Sequence, residues 1–352
     1  MSSIAGAMTG VWLTGHGGVE KLDYRDDIPI PEPGPRDVLI RVSAAAVNNT
    51  DLNVRTGWYS KTDHSAADAG WSGEAMRFPL IQGADVCGVV EQVGEVADPG
   101  LLGRRVIVEP CLFEAGGRPL DPPWYLGSEC DGGFAQYTVV AARHAHPVGG
   151  ALSDIELASF PCSYSTAENL LTRASVKAGE RVLVTGASGG VGSAVIQLAR
   201  ARGAQVIAMT SPAKAETLMG LGAEATVARD EDLVEALGRN SVDTVVDLVA
   251  GQRWPRLLEV LRPFGRYAAS GAIAGPLVEL DVRTLYLKDL SLFGATVLTP
   301  EVFPNLVKRI ENEEIRPLVA ETFPLRDIAR AQERFTAKAH VGKLVLEIPS
   351  DG

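Results

Sequence analysis

Residues 185–192, Thr185-Gly186-Ala187-Ser188-Gly189-Gly190-Val191-Gly192, have the types and spacing of a phosphate-binding turn. They follow Arg181-Val182-Leu183-Val184, an apolar run that reads as a buried strand. They open a segment with Val191, Ala194, Val195, Leu198 and Ala199 at helical spacing. Glycine at 189 and 192 leaves room for a diphosphate and for close helix–strand packing. The helix start then offers unpaired N–H groups and a positive dipole end to the anion. The expected ligand is a nicotinamide dinucleotide held by Gly186, Ala187, Ser188, Gly189, Gly190, Val191 and Gly192. One departure is that Ala187 stands where the usual Gly-x-Gly-x-x-Gly pattern has its first glycine.

The residues after the next strand bear on which dinucleotide. NAD sites carry an acidic residue about 20 positions after the turn, on the ribose 2′-hydroxyl. Here the strand ends Ala208-Met209-Thr210-Ser211-Pro212-Ala213-Lys214, with no Asp or Glu before Glu216. Ser211 can donate a hydrogen bond to a 2′-phosphate and Lys214 can neutralise it. Arg229, after the third strand, can reach the same region. The expected cofactor is therefore NADP(H).

The elements around the turn alternate. Strands are expected at 205–209, 225–227, 242–249, 266–270 and 291–295, with helices at 190–202, 213–221 and up to Arg262. Such alternation implies a parallel sheet with right-handed crossovers. Residues 1 to about 150 read differently, as short strands (37–42, 86–94, 105–108 and 134–140) broken by Gly and Pro, in the manner of a partly closed barrel. Helices are expected at 300–312 and 327–338, and a last strand at 342–348. The polar segment from Gly57 to Arg77 reads as a long loop, either a lid or a solvated excursion.

Composition excludes some classes. A length of 352 residues suggests two domains and is ample for a sizeable core. A net charge of −11, with no basic cluster to reverse it, argues against nucleic-acid binding. No apolar run is long enough for a membrane span. The start, Met1 to Met8, has no basic residue ahead of its apolar part, unlike a secretion signal. The cysteines (Cys87, Cys111, Cys130 and Cys162) form no close pair, so reduced thiols and a cytoplasmic location are expected.

Residues 184–192, followed by Gln197-Leu198-Ala199 and Gly203-Ala204, resemble the medium-chain dehydrogenase/reductase superfamily. So do Asp131-Gly132-Gly133-Phe134-Ala135-Gln136-Tyr137 and Gly342-Lys343-Leu344-Val345-Leu346. The resemblance implies an α/β fold in which a doubly wound Rossmann sheet (156–296) is inserted in a β-rich GroES-like catalytic domain (1–155 plus 297–352). It also implies homodimers joined through the last Rossmann strands.

Zinc-type members of that superfamily carry a Cys, a His and a third donor at positions that hold Asn48, Ala84 and Cys162 here. Two of the three are lost, and the usual lobe of four close cysteines is absent, so no zinc is expected. Asp85, Asp51 and Cys162 would make a poorer set. His144 and His146 are read as core or surface residues, and Cys162 as an inert buried thiol. The resemblance then points to the quinone oxidoreductase and enoyl reductase branch. Asn48-Asn49-Thr50-Asp51 resembles that branch's Asn-Pro-x-Asp, with Asn49 in place of proline. Arg55-Thr56-Gly57-Trp58-Tyr59 resembles its Arg-x-Gly-x-Tyr.

The implied reaction is hydride transfer from NADPH to a quinone or an activated alkene, a small-molecule substrate. Tyr59, Asn48 and Asp51 are the catalytic candidates, with Asp51 expected to fix its neighbours. Thr166, Ser270 and Gly271 are expected on the nicotinamide side. Two other readings stay open: a zinc-type alcohol or aldehyde dehydrogenase, and a non-enzymatic NADPH-binding protein of the crystallin kind.

Overall fold

The structure is a computed structural model that describes residues 6–61 and 68–350. It divides into two units, residues 1–162 with 317–352, and residues 163–316.

In the first unit β1 (Ala7–Leu13) pairs antiparallel with β2 (Leu22–Pro29) and with β4 (Leu80–Ile81). The main sheet has the order β10 (Ala145–Pro147), β6 (Arg105–Val108), β5 (Asp85–Val93), β3 (Asp37–Val47), β18 (Lys343–Glu347), β17 (Val319–Pro324). Strand β9 (Tyr137–Ala141) also pairs with β3. Strands β7 (Cys111–Ala115) and β8 (Arg118–Tyr125) form a separate hairpin. Helices α1 (Asn49–Thr56), α2 (Asp154–Leu157) and α10 (Ile328–Thr336) complete the unit. Strand β3 is buried along nearly its whole length, with Arg41 and Ser43 its half-buried positions. Val38, Ile40, Val42, Val86, Val90, Phe134, Leu344 and Leu346 share its core. Strand β18 lies against β3, so Leu344 stands opposite Val47 although the two are far apart in sequence.

The second unit is a six-stranded sheet with every neighbouring pair parallel. Its order is β13 (Ala225–Ala228), β12 (Gln205–Thr210), β11 (Arg181–Val184), β14 (Val242–Asp247), β15 (Leu261–Ala269), β16 (Ser291–Gly294). The helices are α3 (Pro161–Arg173), α4 (Gly190–Ala201), α5 (Pro212–Leu221), α6 (Leu233–Leu237), α7 (Trp254–Val260), α8 (Val282–Leu287) and α9 (Val302–Glu311). The strand order reverses between β11 and β14, the switch point at which such sheets bind ligands.

Several boundaries differ from expectation, β15 beginning at Leu261 rather than Arg266 among them. Strand β14 stops at Asp247 because that carboxylate accepts the N–H groups of Val249 and Ala250 and turns the chain. Helix α7 stops at Val260 rather than Arg262, because Leu261 already pairs with Val242 as the start of β15.

Candidate cofactor and active site

The glycine-rich turn joins β11 to α4, as the spacing predicts. Gly186 has φ +58, a left-handed conformation that glycine adopts without strain. A Cβ on Gly192 would sit 2.4 Å from the Gly186 carbonyl oxygen, so only glycine lets the helix start pack this close to the turn. A Cβ on Gly189 would meet nothing nearer than 3.5 Å. Helix α4 has no side-chain cap at its N-terminus, which leaves the first-turn N–H groups of Gly190, Val191 and Gly192 to an outside acceptor. These features fit a bound diphosphate.

Next to the turn, Lys214 Nζ lies 3.4 Å from Ser188 Oγ. Ser211 is the N-cap of α5, and its side chain makes no capping bond. Thr210 and Ala228 are partners across β12 and β13, so Ser211 and Arg229 follow at adjacent strand ends. The structure thus brings Ser188, Ser211, Lys214 and Arg229 together at one corner of the sheet. Ser270 and Gly271 follow β15, where the Ser270 N–H bonds the Asp247 carbonyl at 3.3 Å. Thr166 lies part-buried on α3.

The other candidates belong to the first unit. Adjacent strands β5, β3 and β18 place Asp85, Asn48 and Lys343 at one end of the main sheet. All three side chains are buried. Asp85 Oδ2 accepts from Lys343 Nζ and from Asn48 Nδ2, each at 2.8 Å, and Asp85 Oδ1 accepts the Cys162 N–H at 2.6 Å. Lys343 also donates to Asn48 Oδ1 and to the Val47 carbonyl. The second Asn48 amide hydrogen goes to the Ala46 carbonyl at 3.1 Å. Both amide N–H groups of Asn48 are therefore bonded inside the protein.

Asp51 caps α1 by accepting the Asn48 N–H at 2.7 Å. Burial pushes its carboxyl up to about 7, and the Asp85 charge adds to this. The N–H groups of Asn48 and Gly83 and the Lys343 ammonium oppose it. Tyr59 donates its hydroxyl to Thr50 Oγ1 at 3.2 Å, and burial raises its phenol above the usual value, so it stays protonated. Cys162 accepts the Tyr125 hydroxyl at 3.1 Å, and burial pushes its thiol up to about 12. That thiol is neutral and no nucleophile at neutral pH.

The segment 57–77 is partly described, with 62–67 outside the described residues. Its later part is tied down. Glu129 Oε1 accepts the Ser72 N–H at 2.8 Å, Ser128 Oγ accepts the Trp71 N–H at 3.0 Å, and Trp71 stacks on Tyr125 at 4.9 Å. His144 is a core residue. Its Nε2 accepts the N–H groups of Phe113 and Glu114, and its Nδ1 faces Glu109, fastening the β7 strand.

A family model described as "Alcohol dehydrogenase GroES-like domain" matches residues 34–150, and one described as "Zinc-binding dehydrogenase" matches 190–312. A quinone oxidoreductase from Lama guanicoe is 30% identical, with 96% of this chain and 97% of that protein covered. An acryloyl-coenzyme A reductase from Metallosphaera sedula is 29% identical, covering 96% and 99%. The chain belongs to the medium-chain dehydrogenase/reductase superfamily, in its quinone oxidoreductase-like branch. A candidate alcohol dehydrogenase from Sinorhizobium meliloti 1021, solved as a crystal structure, is 46% identical with a TM-score of 0.90 over 97% of each chain.

Within this superfamily the three zinc-ligand positions hold Asn48, Ala84 and Cys162. These are an amide bonded to Asp85 and Lys343, a methyl group and a thiol, so a single ordinary zinc donor remains. This donor set does not fit a catalytic zinc, which needs about three basic donors. Among the described residues no group of His, Cys, Asp and Glu is arranged to hold a metal ion. A groove of about 580 Å³ opens at the far end of α4, lined by Gln197, Arg200, Leu221, Glu313 and Arg316. Helix C-termini meet there, and their carbonyl ends disfavour a diphosphate, which the other end of the helix would favour.

Sequence reasoning gave no role to Lys343, Tyr125 or Asp247. Lys343 lies in the Gly342-Lys343-Leu344-Val345-Leu346 segment, whose pattern signals only a strand. Its partner Asp85 is 258 positions away in the sequence, so no local pattern links the two.

Proposed function

We propose that the protein is an NADPH-dependent, zinc-independent oxidoreductase that passes hydride to an electron-poor acceptor, a quinone or an α,β-unsaturated carbonyl. The observation that carries this is the corner of Ser188, Ser211, Lys214 and Arg229 beside an uncapped helix start, a place for a 2′-phosphate next to a place for a diphosphate. The relatives' names, quinone oxidoreductase and acryloyl-coenzyme A reductase, support the acceptor class. Bound NADPH supplies the hydride. The first-turn N–H groups of α4 and Lys214 bind its phosphates, and Ser270, Gly271 and Thr166 border its nicotinamide side. The test is NADPH oxidation across quinones, enones and enoyl thioesters. Tight NADPH binding without any turnover would favour the crystallin-like reading instead.

Such acceptors need no Lewis acid if a donor meets the oxygen where charge develops. Tyr59 keeps its proton and is the donor proposed for that oxygen. Tyr59→Phe is expected to lower turnover at least about threefold, with the cofactor Kd unchanged. A smaller loss on the best acceptor removes Tyr59 from the mechanism. Asn48 and Asp51 are proposed to hold the Asp85–Lys343 cluster and the start of α1 rather than to act on the acceptor.

We further propose a homodimer formed along β16. This edge strand and its neighbours expose Leu277, Tyr286, Leu287 and Leu292, more apolar surface than an unpartnered edge tolerates. Light scattering should give twice the 37.3 kDa chain mass, and a monomer would refute this. All four cysteines are free thiols, which suits the proposed cytoplasmic location. No helix among the described residues is long and apolar enough to cross a membrane.

A further inference from the structure

Asp247 is fully buried at the end of β14, and its hydrogen-bond partners are neutral. Its Oδ1 accepts the Thr185 hydroxyl at 2.5 Å and the N–H groups of Val249 (2.9 Å) and Ala250 (3.2 Å). Its Oδ2 accepts the Tyr267 hydroxyl at 2.7 Å and Ala250 N–H at 3.2 Å. Thr185 in turn accepts the Leu248 N–H at 2.9 Å. The Thr185–Asp247 bond joins the ends of β11 and β14, the two strands between which the sheet order reverses. Among the described residues a carboxylate charge is thus held by dipoles alone, beneath the crevice in which such sheets bind dinucleotides.

A buried charge without a counter-ion is costly, and neutral donors offset only part of that cost. A ligand whose positive charge sits in the crevice would offset more. The nicotinamide ring is such a ligand in one redox state only, being cationic when oxidised and neutral when reduced.

We propose that Asp247 biases the site toward the oxidised nicotinamide. It holds NADP⁺ more tightly relative to NADPH than an uncharged residue would, and so makes bound NADPH a stronger hydride donor. The inference rests on the dinucleotide reading above and gives the site a preferred direction, reduction of the acceptor. Asp247 acts through its field and its loop rather than by contact with the reacting atoms.

The test is the ratio of Kd for NADP⁺ to Kd for NADPH, measured by calorimetry and by NADPH fluorescence on the full chain. In Asp247→Asn this ratio should rise at least about threefold, as expected for losing one charge at an intermediate dielectric. A purely structural role would weaken both ligands by one factor and leave the ratio unchanged, which would overturn the proposal. Tyr267→Phe provides a second arm that keeps the carboxylate. It removes a dipole that offsets the charge, so the ratio should fall about twofold. A ratio that stays or rises there also overturns the proposal, even if Asp247→Asn does not fold. Should the unaltered protein bind neither nucleotide, the dinucleotide reading fails and this inference falls with it. Binding of both with an unmoved ratio sinks the inference alone.

Discussion

Lys343→Met is expected to destabilise the protein by about 3–5 kcal/mol, the cost of leaving a buried carboxylate without its counter-charge. The Lys343 ammonium spends its donors on Asp85, Asn48 and Val47, with almost no exposure to water. Methionine fills a similar volume but supplies none of those bonds. Asp85 would keep only the Asn48 amide and the Cys162 N–H. Chemical denaturation would read the loss, with a melting temperature lower by about 5 °C. The pair must also be non-additive. In Lys343→Met with Asp85→Asn the stranded charge is gone, so the double variant should be more stable than Lys343→Met alone. A loss under about 1 kcal/mol in the single variant, or simple additivity, would mean that the ion pair does not hold this end of the sheet.

Cofactor choice is the second large effect expected. A 2′-phosphate at Ser211, Lys214 and Arg229 would make charge-assisted hydrogen bonds worth about 1.5–3 kcal/mol each. NADH has a hydroxyl there and finds no carboxylate at the end of β12, where the chain runs Thr210-Ser211-Pro212. The preference for NADPH should therefore reach at least about tenfold in kcat/KM. Lys214→Ala should narrow it from the NADPH side, because Lys214 already lies against Ser188 of the turn.

The cofactor half was legible because its signals are local. One strand, one turn and one amphipathic helix carry the glycine pattern within about 20 residues. The catalytic half was less legible, for two physical reasons. Its polar cluster is assembled by sheet pairing between β5, β3 and β18, and no local pattern announces that Lys343 will face Asp85. Some of its strands also break the usual rules. Strand β2 carries Asp23, Arg25, Asp26 and Asp27 on a solvent-facing edge, and β8 carries Pro119, Pro122 and Pro123. Prolines are tolerated in β8 because a two-stranded hairpin is all edge. Asp247 was hidden differently. It reads as the polar end of an apolar strand, and only the bonds from Thr185 and Tyr267 reveal a buried charge.

The central claim is zinc-free, NADPH-driven reduction. Its most direct test is kcat/KM for NADPH against NADH, with the best quinone or enone acceptor, on protein dialysed against a chelator. Activity should survive chelation and favour NADPH by at least about tenfold. Activity lost with the metal and restored by zinc, or equal use of NADH, would contradict it.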